Sequence, residues 1–309
     1  MSYPYTPVPL PVYQAFFKEM PAANITLADQ DIKVLRESMA PTSGTGPDVL
    51  ENEFEVTAGG FNIKVFALRP LGTENDILPG LIYLHGGGFI LGDYKGYSGF
   101  VKEICVHSHV AVLFVEYSLA PEATFPVLPE ECYNATLWIH ENAEKLKVDG
   151  SRLTMGGGNL TAVTNLMLHD RGYPDIVKGQ IMLYPVSTVD NGKYESAKLF
   201  GKYLLSNDDM LYFMKLYLTD DTNPPDDFRF DPLLASEELL KTQPRTLILT
   251  AECDILRDGA EHYGQKLANA GVDVSCVRMI GGVHGFLCFP IDTGIKRDAM
   301  DLINKLVNQ

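Results

Sequence analysis

From Leu81 onward, apolar residues fall into short continuous runs that alternate with segments of helical spacing. Continuous runs of this kind predict buried parallel strands, because strands covered on both faces carry apolar side chains at every position. The runs are Leu81–Leu84, Val110–Glu116, Arg152–Met155, Gln180–Tyr184, Thr246–Ala251 and Val274–Met279, and the helical segments are Gly99–His109, Pro126–Lys145, Asn159–Asp170 and Gly259–Ala270. This alternation predicts an α/β protein with an open, doubly wound sheet.

The pattern before Leu81 is different. Val12–Met20 and Asp29–Met39 have helical spacing, while Glu53–Thr57 and Phe61–Leu68 flank a Gly-Gly pair and predict an antiparallel hairpin. With the two hairpin strands, the chain is expected to form an eight-stranded, mostly parallel sheet flanked by helices.

The strand–helix alternation lapses over residues 187–240. Asn207–Leu218 is a helical stretch rich in Tyr, Phe and Met, and its spacing fits an ordinary core helix as well as a cap helix. We interpret this insertion, together with residues 1–50, as a helical cap on a single domain spanning residues 1–309. The aromatic part, Met210–Tyr217, is the place where a pocket wall is expected.

Composition and charge exclude several classes of protein. The net charge is −15, from 40 acidic and 25 basic residues, which disfavours nucleic acid and anionic membranes as partners. No apolar run is long enough to span a bilayer, and the first residues do not resemble a secretion signal. The five cysteines are odd in number and form no C-x-x-C pair, so neither a disulfide framework nor a cysteine zinc site is expected. A reduced, cytoplasmic compartment is the expectation.

The strongest local signal for chemistry is His85-Gly86-Gly87-Gly88, directly after the run Leu81–Leu84. Three glycines in a row have no side chain to pack and cost backbone entropy. They do expose backbone N–H groups, which can stabilise an oxyanion that develops during acyl transfer. A tight strand-to-loop turn without catalytic function is the alternative.

An acid and a histidine follow two successive predicted strands. Asp254 comes after Thr246–Ala251, and His284 comes after Val274–Met279. The carboxyl ends of parallel strands meet at one edge of a sheet, so these two side chains are expected to be neighbours there. In such a pair, the carboxylate orients the imidazole and the imidazole moves the proton. Asp258, one turn further, is interpreted as a helix-start carboxylate.

Several motifs in the same order resemble the hormone-sensitive-lipase-like carboxylesterases of the α/β-hydrolase fold. They are His85–Gly88, Tyr117–Glu122, Asp254–Asp258 and His284–Phe286, and the resemblance covers roughly residues 80–290. It implies hydrolysis of small carboxylic esters with short to medium acyl chains through a serine acyl-enzyme, without a metal or organic cofactor. It also implies an oxyanion hole at Gly86, Gly87 and Gly88, a loop-shaping His85, and frequent homodimers.

One motif of that family is missing. Members tend to read Gly-Asp-Ser-Ala-Gly-Gly-Asn-Leu, with the serine on a sharp strand-to-helix turn. Here the chain reads Met155-Gly-Gly-Gly-Asn159-Leu, which is shorter and lacks the nucleophile, and no serine elsewhere is framed by glycines in that way.

Three explanations remain open for this departure. In the first, the natural polypeptide carries a serine-containing segment between Met155 and Asn159 that this sequence lacks. In the second, the loss is genuine and the protein is a non-catalytic member of the fold that binds a small hydrophobic ligand or a protein partner. In the third, another hydroxyl replaces serine, of which Thr161 is the nearest. A phosphate-binding turn fits Gly156–Asn159 poorly, because the Lys-Ser/Thr of a P-loop is absent.

Overall fold

Eight strands pair into one sheet in the computed structural model, which describes residues 6–19, 31–38, 44–188, 190–218 and 226–309. In chain order they are β1 (Val49–Ala58), β2 (Phe61–Pro70), β3 (Leu78–Leu84), β4 (Ala111–Glu116), β5 (Val148–Gly157), β6 (Val177–Leu183), β7 (Arg245–Cys253) and β8 (Val274–Val283). Their order across the sheet is β1-β2-β4-β3-β5-β6-β7-β8. The pairs β1–β2 and β2–β4 are antiparallel, and the remaining neighbours of this sheet are parallel. The predicted eight-stranded, mostly parallel α/β sheet is confirmed.

The described residues form ten α-helices. They are α1 (Pro11–Glu19), α2 (Ile32–Ser38), α3 (Tyr94–Ser108), α4 (Val127–Glu141), α5 (Asn159–Asp170), α6 (Glu195–Phe200), α7 (Asn207–Leu218), α8 (Glu237–Leu240), α9 (Arg257–Asn269) and α10 (Gly294–Val307). The C-terminal helix α10 is an addition to the sequence prediction. We call α1, α2, α6 and α7 the cap segments; Met20, Met39 and residues 29–30 of the predicted N-terminal helices lie outside the described residues.

Two of the predicted helix boundaries differ from the structure by about one helical turn. Helix α3 begins five residues before the predicted Gly99, because the side chain of Asp93 caps it by accepting a hydrogen bond of 2.7 Å from the Gly96 N–H. Helix α4 ends at Glu141 rather than at Lys145, and Asn142 forms its C-terminal cap.

The strands predicted as buried are mostly covered on both faces, but the prediction is wrong for Val274–Met279: this run lies in the edge strand β8, and only its last residue is buried. All seven residues of β3 are buried, and β4 is buried apart from its last residue. Helices α3 and α10 contact each other on one face of the sheet, while α4, α5 and α9 pack against the other face. The core is therefore a sheet between two helical layers, as the alternating pattern predicts.

The parallel strands bring six carboxyl ends to one edge of the sheet. Strands β3 to β8 all run in the same direction, so their carboxyl ends lie together. The loops after β3, β7 and β8 carry the candidate residues, and α5 begins directly after β5. In open α/β sheets this edge is where ligands bind.

Candidate active site

Asp254 and His284 meet at the carboxyl edge of β7 and β8. The Nδ1 atom of His284 lies 2.8 Å from Oδ2 of Asp254. The Asp254 side chain is 1% exposed, and its other oxygen accepts a hydrogen bond of 3.0 Å from the Leu256 N–H. The turn that leads into α9 thus fixes the carboxylate, and the carboxylate orients the imidazole through Nδ1.

This pairing decides which nitrogen of His284 can act as a base. An ionised carboxylate only accepts hydrogen bonds, so Nδ1 carries the proton in the neutral imidazole. Nε2 then keeps its lone pair. The ring is one quarter exposed, and the edge of Tyr184 packs against it with the ring centroids 5.0 Å apart. His284 is therefore oriented to accept a proton through Nε2.

The triple-glycine loop presents backbone N–H groups close to the end of β3. Gly87 and Gly88 have φ angles of 124° and 61°, in the region that favours glycine. A Cβ atom on Gly87 would collide with the Leu91 carbonyl, and one on Gly88 would collide with the Phe213 ring. In the described part of the chain, no protein acceptor is paired with either the Gly87 or the Gly88 N–H. Both donors are therefore available to a ligand.

His85 supports this loop from inside the core. Its ring is stacked on Tyr117, with centroids 4.2 Å apart, and its Nδ1 lies 2.7 Å from the carbonyl oxygen of Gly86. The Tyr117 hydroxyl donates to the His85 carbonyl over 2.7 Å. Burial lowers the pKa of His85 to about 4, so the ring is neutral at physiological pH and donates from Nδ1.

Replacing His85 by Gln is expected to make stability less sensitive to acid. The folded-state pKa of about 4 is below the ordinary 6.5, so between these values the unfolded chain binds more protons. The contribution of His85 is therefore lost as pH falls from about 6.5 through about 4, and amounts to about 3 kcal/mol at most. Urea unfolding of both proteins at about pH 7 and about pH 4.5 measures it. Identical pH dependence in the two proteins would refute this prediction.

The turn between β5 and α5 contains no nucleophile. One residue, Gly158, connects the strand to the helix. Gly157 has a φ of 138°, and a Cβ atom there would collide with the Leu84 carbonyl. A Cβ atom on Gly158 would have no neighbour within 4 Å. At this sharp strand-to-helix turn, which we call the elbow, the family carries its serine, whereas this chain exposes only backbone.

Thr161 does not replace the missing hydroxyl. Its side chain is fully buried in the first turn of α5, and it is not among the residues that line the cavity at this edge. Asn159, by contrast, does line the cavity. Its amide donates to the Val186 carbonyl over 2.9 Å, and its Oδ1 is buried with no partner among the described residues. Of the three explanations for the missing serine, the one that relies on Thr161 lacks geometric support.

The candidate groups share one cavity of about 270 Å³. His85, the three glycines of the loop, Gly158 and His284 all line it. Its remaining surface is mostly apolar and comes partly from the cap segments, with Phe16, Leu91, Leu205, Met210, Phe213 and Phe289 among the lining residues. Met210 and Phe213 belong to the stretch in which a pocket wall is predicted. The cavity thus combines a polar end with an apolar body.

Other ionisable side chains outside the cavity have structural partners. Asp258 accepts hydrogen bonds from the Arg257 side chain and the Ser196 N–H, so it fastens the start of α9. His107 pairs with Asp301 on the surface. Across the described ranges, no group of three or more His, Cys, Asp or Glu side chains is arranged to hold a metal ion. Likewise, none of the described helices is long and apolar enough to cross a membrane.

Sequence reasoning missed some residues of the site. Tyr97 and Tyr184 line the cavity, and Phe16 reaches it from the distant helix α1. Tyr184 directly follows β6, so its position at the carboxyl edge could have been predicted from the sequence. Phe16 carries no such signal, because nothing in its local pattern relates it to the sheet.

The family comparison agrees with this geometry. Residues 81–288 match the alpha/beta hydrolase fold family. The sequence is 32% identical over 233 residues to a putative alpha/beta hydrolase of Acanthamoeba polyphaga mimivirus, covering 73% of this chain and 66% of that protein. It is 30% identical to an arylesterase of Saccharolobus solfataricus, covering 77% of each chain. It is also 30% identical to an ethyl acetate hydrolase of Pseudomonas putida, covering 84% of this chain and 83% of the relative.

Solved structures are similar over nearly the whole length. One of two fungal esterases from Rhizomucor miehei superposes with a TM-score of 0.92, at 38% identity and 98% coverage of both chains. A thermostable esterase from Pseudomonas putida superposes with a TM-score of 0.91, at 29% identity and the same coverage. Together with the family match, these similarities show that the chain belongs to the α/β-hydrolase fold family, among its hormone-sensitive-lipase-like carboxylesterases.

Proposed function

We propose that this protein is a carboxylic-ester hydrolase that acts on small esters with short to medium acyl chains. One observation carries the proposal: His284, held by Asp254, and the unpartnered N–H groups of Gly87 and Gly88 open onto the same largely apolar cavity. A base and oxyanion donors around one point are what acyl transfer requires. The esterase relatives support the same reaction class.

The proposed mechanism is two-step acyl transfer. A serine hydroxyl attacks the ester carbonyl while Nε2 of His284 takes its proton, and the tetrahedral oxyanion accepts hydrogen bonds from Gly87 and Gly88. His284 then protonates the leaving alcohol, and water repeats the sequence on the acyl-enzyme. Asp254 stabilises the imidazolium throughout, and Gly86 and His85 keep the loop in shape. No cofactor takes part in these steps.

The nucleophile is assigned to the segment that this sequence lacks. Between Gly156 and Asn159 the family carries Asp-Ser-Ala ahead of its Gly-Gly pair, and this chain has the glycines alone. In the chain as it stands, His284 can only activate a water molecule against the bound ester. The oxyanion donors and binding then leave roughly a thousandfold acceleration over water at best.

Replacing His284 by Ala is expected to lower the rate of p-nitrophenyl acetate hydrolysis by about a hundredfold, because general-base catalysis contributes at least that much. Initial rates of the two proteins measure the effect, and the intact mass of the natural polypeptide, compared with 34.2 kDa, shows whether it carries further residues. A matching mass together with equal rates would end the esterase proposal for this polypeptide.

A second candidate function is binding without turnover. It is favoured by the closed turn at Gly158, which joins β5 to α5 and leaves open space where a nucleophile would stand. Such a protein would hold a small hydrophobic ligand or a protein partner. Equal rates and a matching mass in the experiment above are the results that this function predicts.

The remaining properties follow from charge and composition. A net charge of −15 disfavours nucleic acid as a partner, and the five cysteines are free in the structure, which fits a cytoplasmic location. A homodimer is the expectation from the family.

A further inference from the structure

The loop that carries the oxyanion donors has a backbone that needs support. Gly87, Gly88 and Phe89 follow one another with φ angles of 124°, 61° and 70°. Phe89 is not a glycine, so its left-handed conformation is strained, and such conformations persist only where surrounding contacts impose them. The position of the donors therefore depends on what holds the loop from outside.

Two contacts hold the loop from neighbouring segments. The Phe89 ring is stacked on Tyr217 of α7, with centroids 4.2 Å apart. The Phe89 carbonyl accepts a hydrogen bond of 2.9 Å from the Ala120 N–H. Within the loop, the Gly87 carbonyl accepts from the N–H groups of Ile90 and Leu91 over 3.2 and 2.9 Å.

A third contact comes from cap segment α2. The Nε of Arg36 donates to the Ile90 carbonyl over 2.9 Å, and its Nη2 donates to the Ala120 carbonyl over 2.7 Å. The same guanidinium pairs with both oxygens of Glu122 over 2.8 and 2.7 Å. One side chain thus joins the oxyanion loop to the segment that follows β4.

The chemistry of these contacts requires arginine. The planar guanidinium directs several donors along fixed lines, so it can satisfy two carbonyls and a carboxylate at once, whereas an ammonium is a point charge. Hydrogen bonding to Arg36 lowers the pKa of Glu122 to about 2, so the pair is ionised at neutral pH.

We propose that Arg36 is a positioning residue of the oxyanion hole, through which cap segment α2 fixes the Gly87 and Gly88 donors. The assignment rests on the proposed function for its catalytic meaning. The structural part of the assignment does not depend on that function. Arg36 is far from the loop in sequence, and it bonds both the loop at Ile90 and the adjacent segment at Ala120.

Amide hydrogen exchange tests this assignment in the protein as it stands. The reporters are the N–H groups of Ile90, Leu91 and Ala120, whose hydrogen bonds exist only while the loop keeps its shape. In Arg36→Ala these amides are expected to exchange at least about tenfold faster, because charge-assisted hydrogen bonds to two carbonyls are lost. Arg36→Lys should restore part of the protection.

Arg297→Ala is the matched control, since Arg297 lies on α10 and forms an exposed pair with Asp292, just before that helix. It should leave the three reporters unchanged. If Arg36→Ala speeds exchange at Leu35 in α2 but not at Ile90, Leu91 and Ala120, Arg36 only anchors its own helix and the assignment is wrong.

The rate of ester hydrolysis is a second measurement, and it should change only if Arg36 positions the oxyanion donors. For the His284-dependent hydrolysis of p-nitrophenyl acetate, Arg36→Ala should lower kcat while KM changes little, because the oxyanion donors act on the transition state. An unchanged kcat alongside faster loop exchange would refute the positioning role. If no His284-dependent hydrolysis exists, the proposed function fails, and the exchange experiment alone decides whether Arg36 holds the loop.

Discussion

Inserting Asp-Ser-Ala between Gly156 and Gly157 is expected to raise the hydrolysis of p-nitrophenyl acetate at least about a thousandfold. The insertion rewrites the elbow as Gly-Asp-Ser-Ala-Gly-Gly-Asn-Leu, the form typical of the family. In serine hydrolases the nucleophile and its base act as a unit, and losing the serine costs several orders of magnitude in kcat. Because the proposed base, its carboxylate partner and the proposed oxyanion donors already line or adjoin one cavity, supplying the hydroxyl should recover most of that factor.

The matched control is the same insertion with Ala in place of Ser. It has the same length and the same glycines, so it separates the hydroxyl from any effect of a longer turn. A burst of p-nitrophenolate equal to the enzyme concentration would report the acyl-enzyme. If the two insertions hydrolyse the ester equally slowly while circular dichroism shows both folded, the proposed mechanism is wrong for this chain.

The sheet was predictable because burial acts on every residue of its inner strands. Leu81–Leu84 and Thr246–Ala251 are continuous apolar runs, and both lie inside buried strands. The residues at which the strands begin and end were harder to predict. Strand β5 begins at Val148 rather than Arg152, because its backbone pairs with Leu78 of β3 across partly exposed residues. Backbone pairing needs no apolar side chain, so the pattern underestimates strand length.

Helix α10 had a sequence signal that the prediction did not use. Thr293 caps its first turn by accepting from the Lys296 N–H, and Ala299, Ile303 and Leu306 are buried at helical spacing. These features are those of an amphipathic helix with a capped start. Both the start of the helix and its buried face could therefore have been predicted from the sequence.

Some residues of the candidate site are positioned by adjacent strands, and others reach it from distant segments of the chain. Asp254 and His284 could be placed together because each follows a parallel strand, and the sheet brings those ends together. Phe16 and Arg36 could not be placed, because they reach the site from the cap segments through contacts that no local pattern encodes. The shape of the cavity and the support of its loop thus depend on tertiary packing.

Replacing Asp254 by Asn in the protein with the restored elbow is expected to lower kcat by about ten thousandfold. The carboxamide has nearly the shape of the carboxylate, so the fold should tolerate the change. Its NH₂ group can donate to Nδ1 of His284, which then carries its proton on Nε2 and cannot accept one from the serine. The buried countercharge for the imidazolium is lost at the same time.

Asp258→Asn in the same background is the matched control for this effect. Asp258 lies one turn further along the chain and contacts Arg257 and Ser196 rather than His284. Its replacement should lower stability slightly and leave kcat within about threefold, because the free energies involved are those of partly exposed hydrogen bonds. Steady-state kinetics of the three proteins distinguish the roles. If Asp258→Asn lowers kcat as much as Asp254→Asn does, the pairing of Asp254 with His284 does not set the tautomer, and the acid of this site has been assigned to the wrong residue.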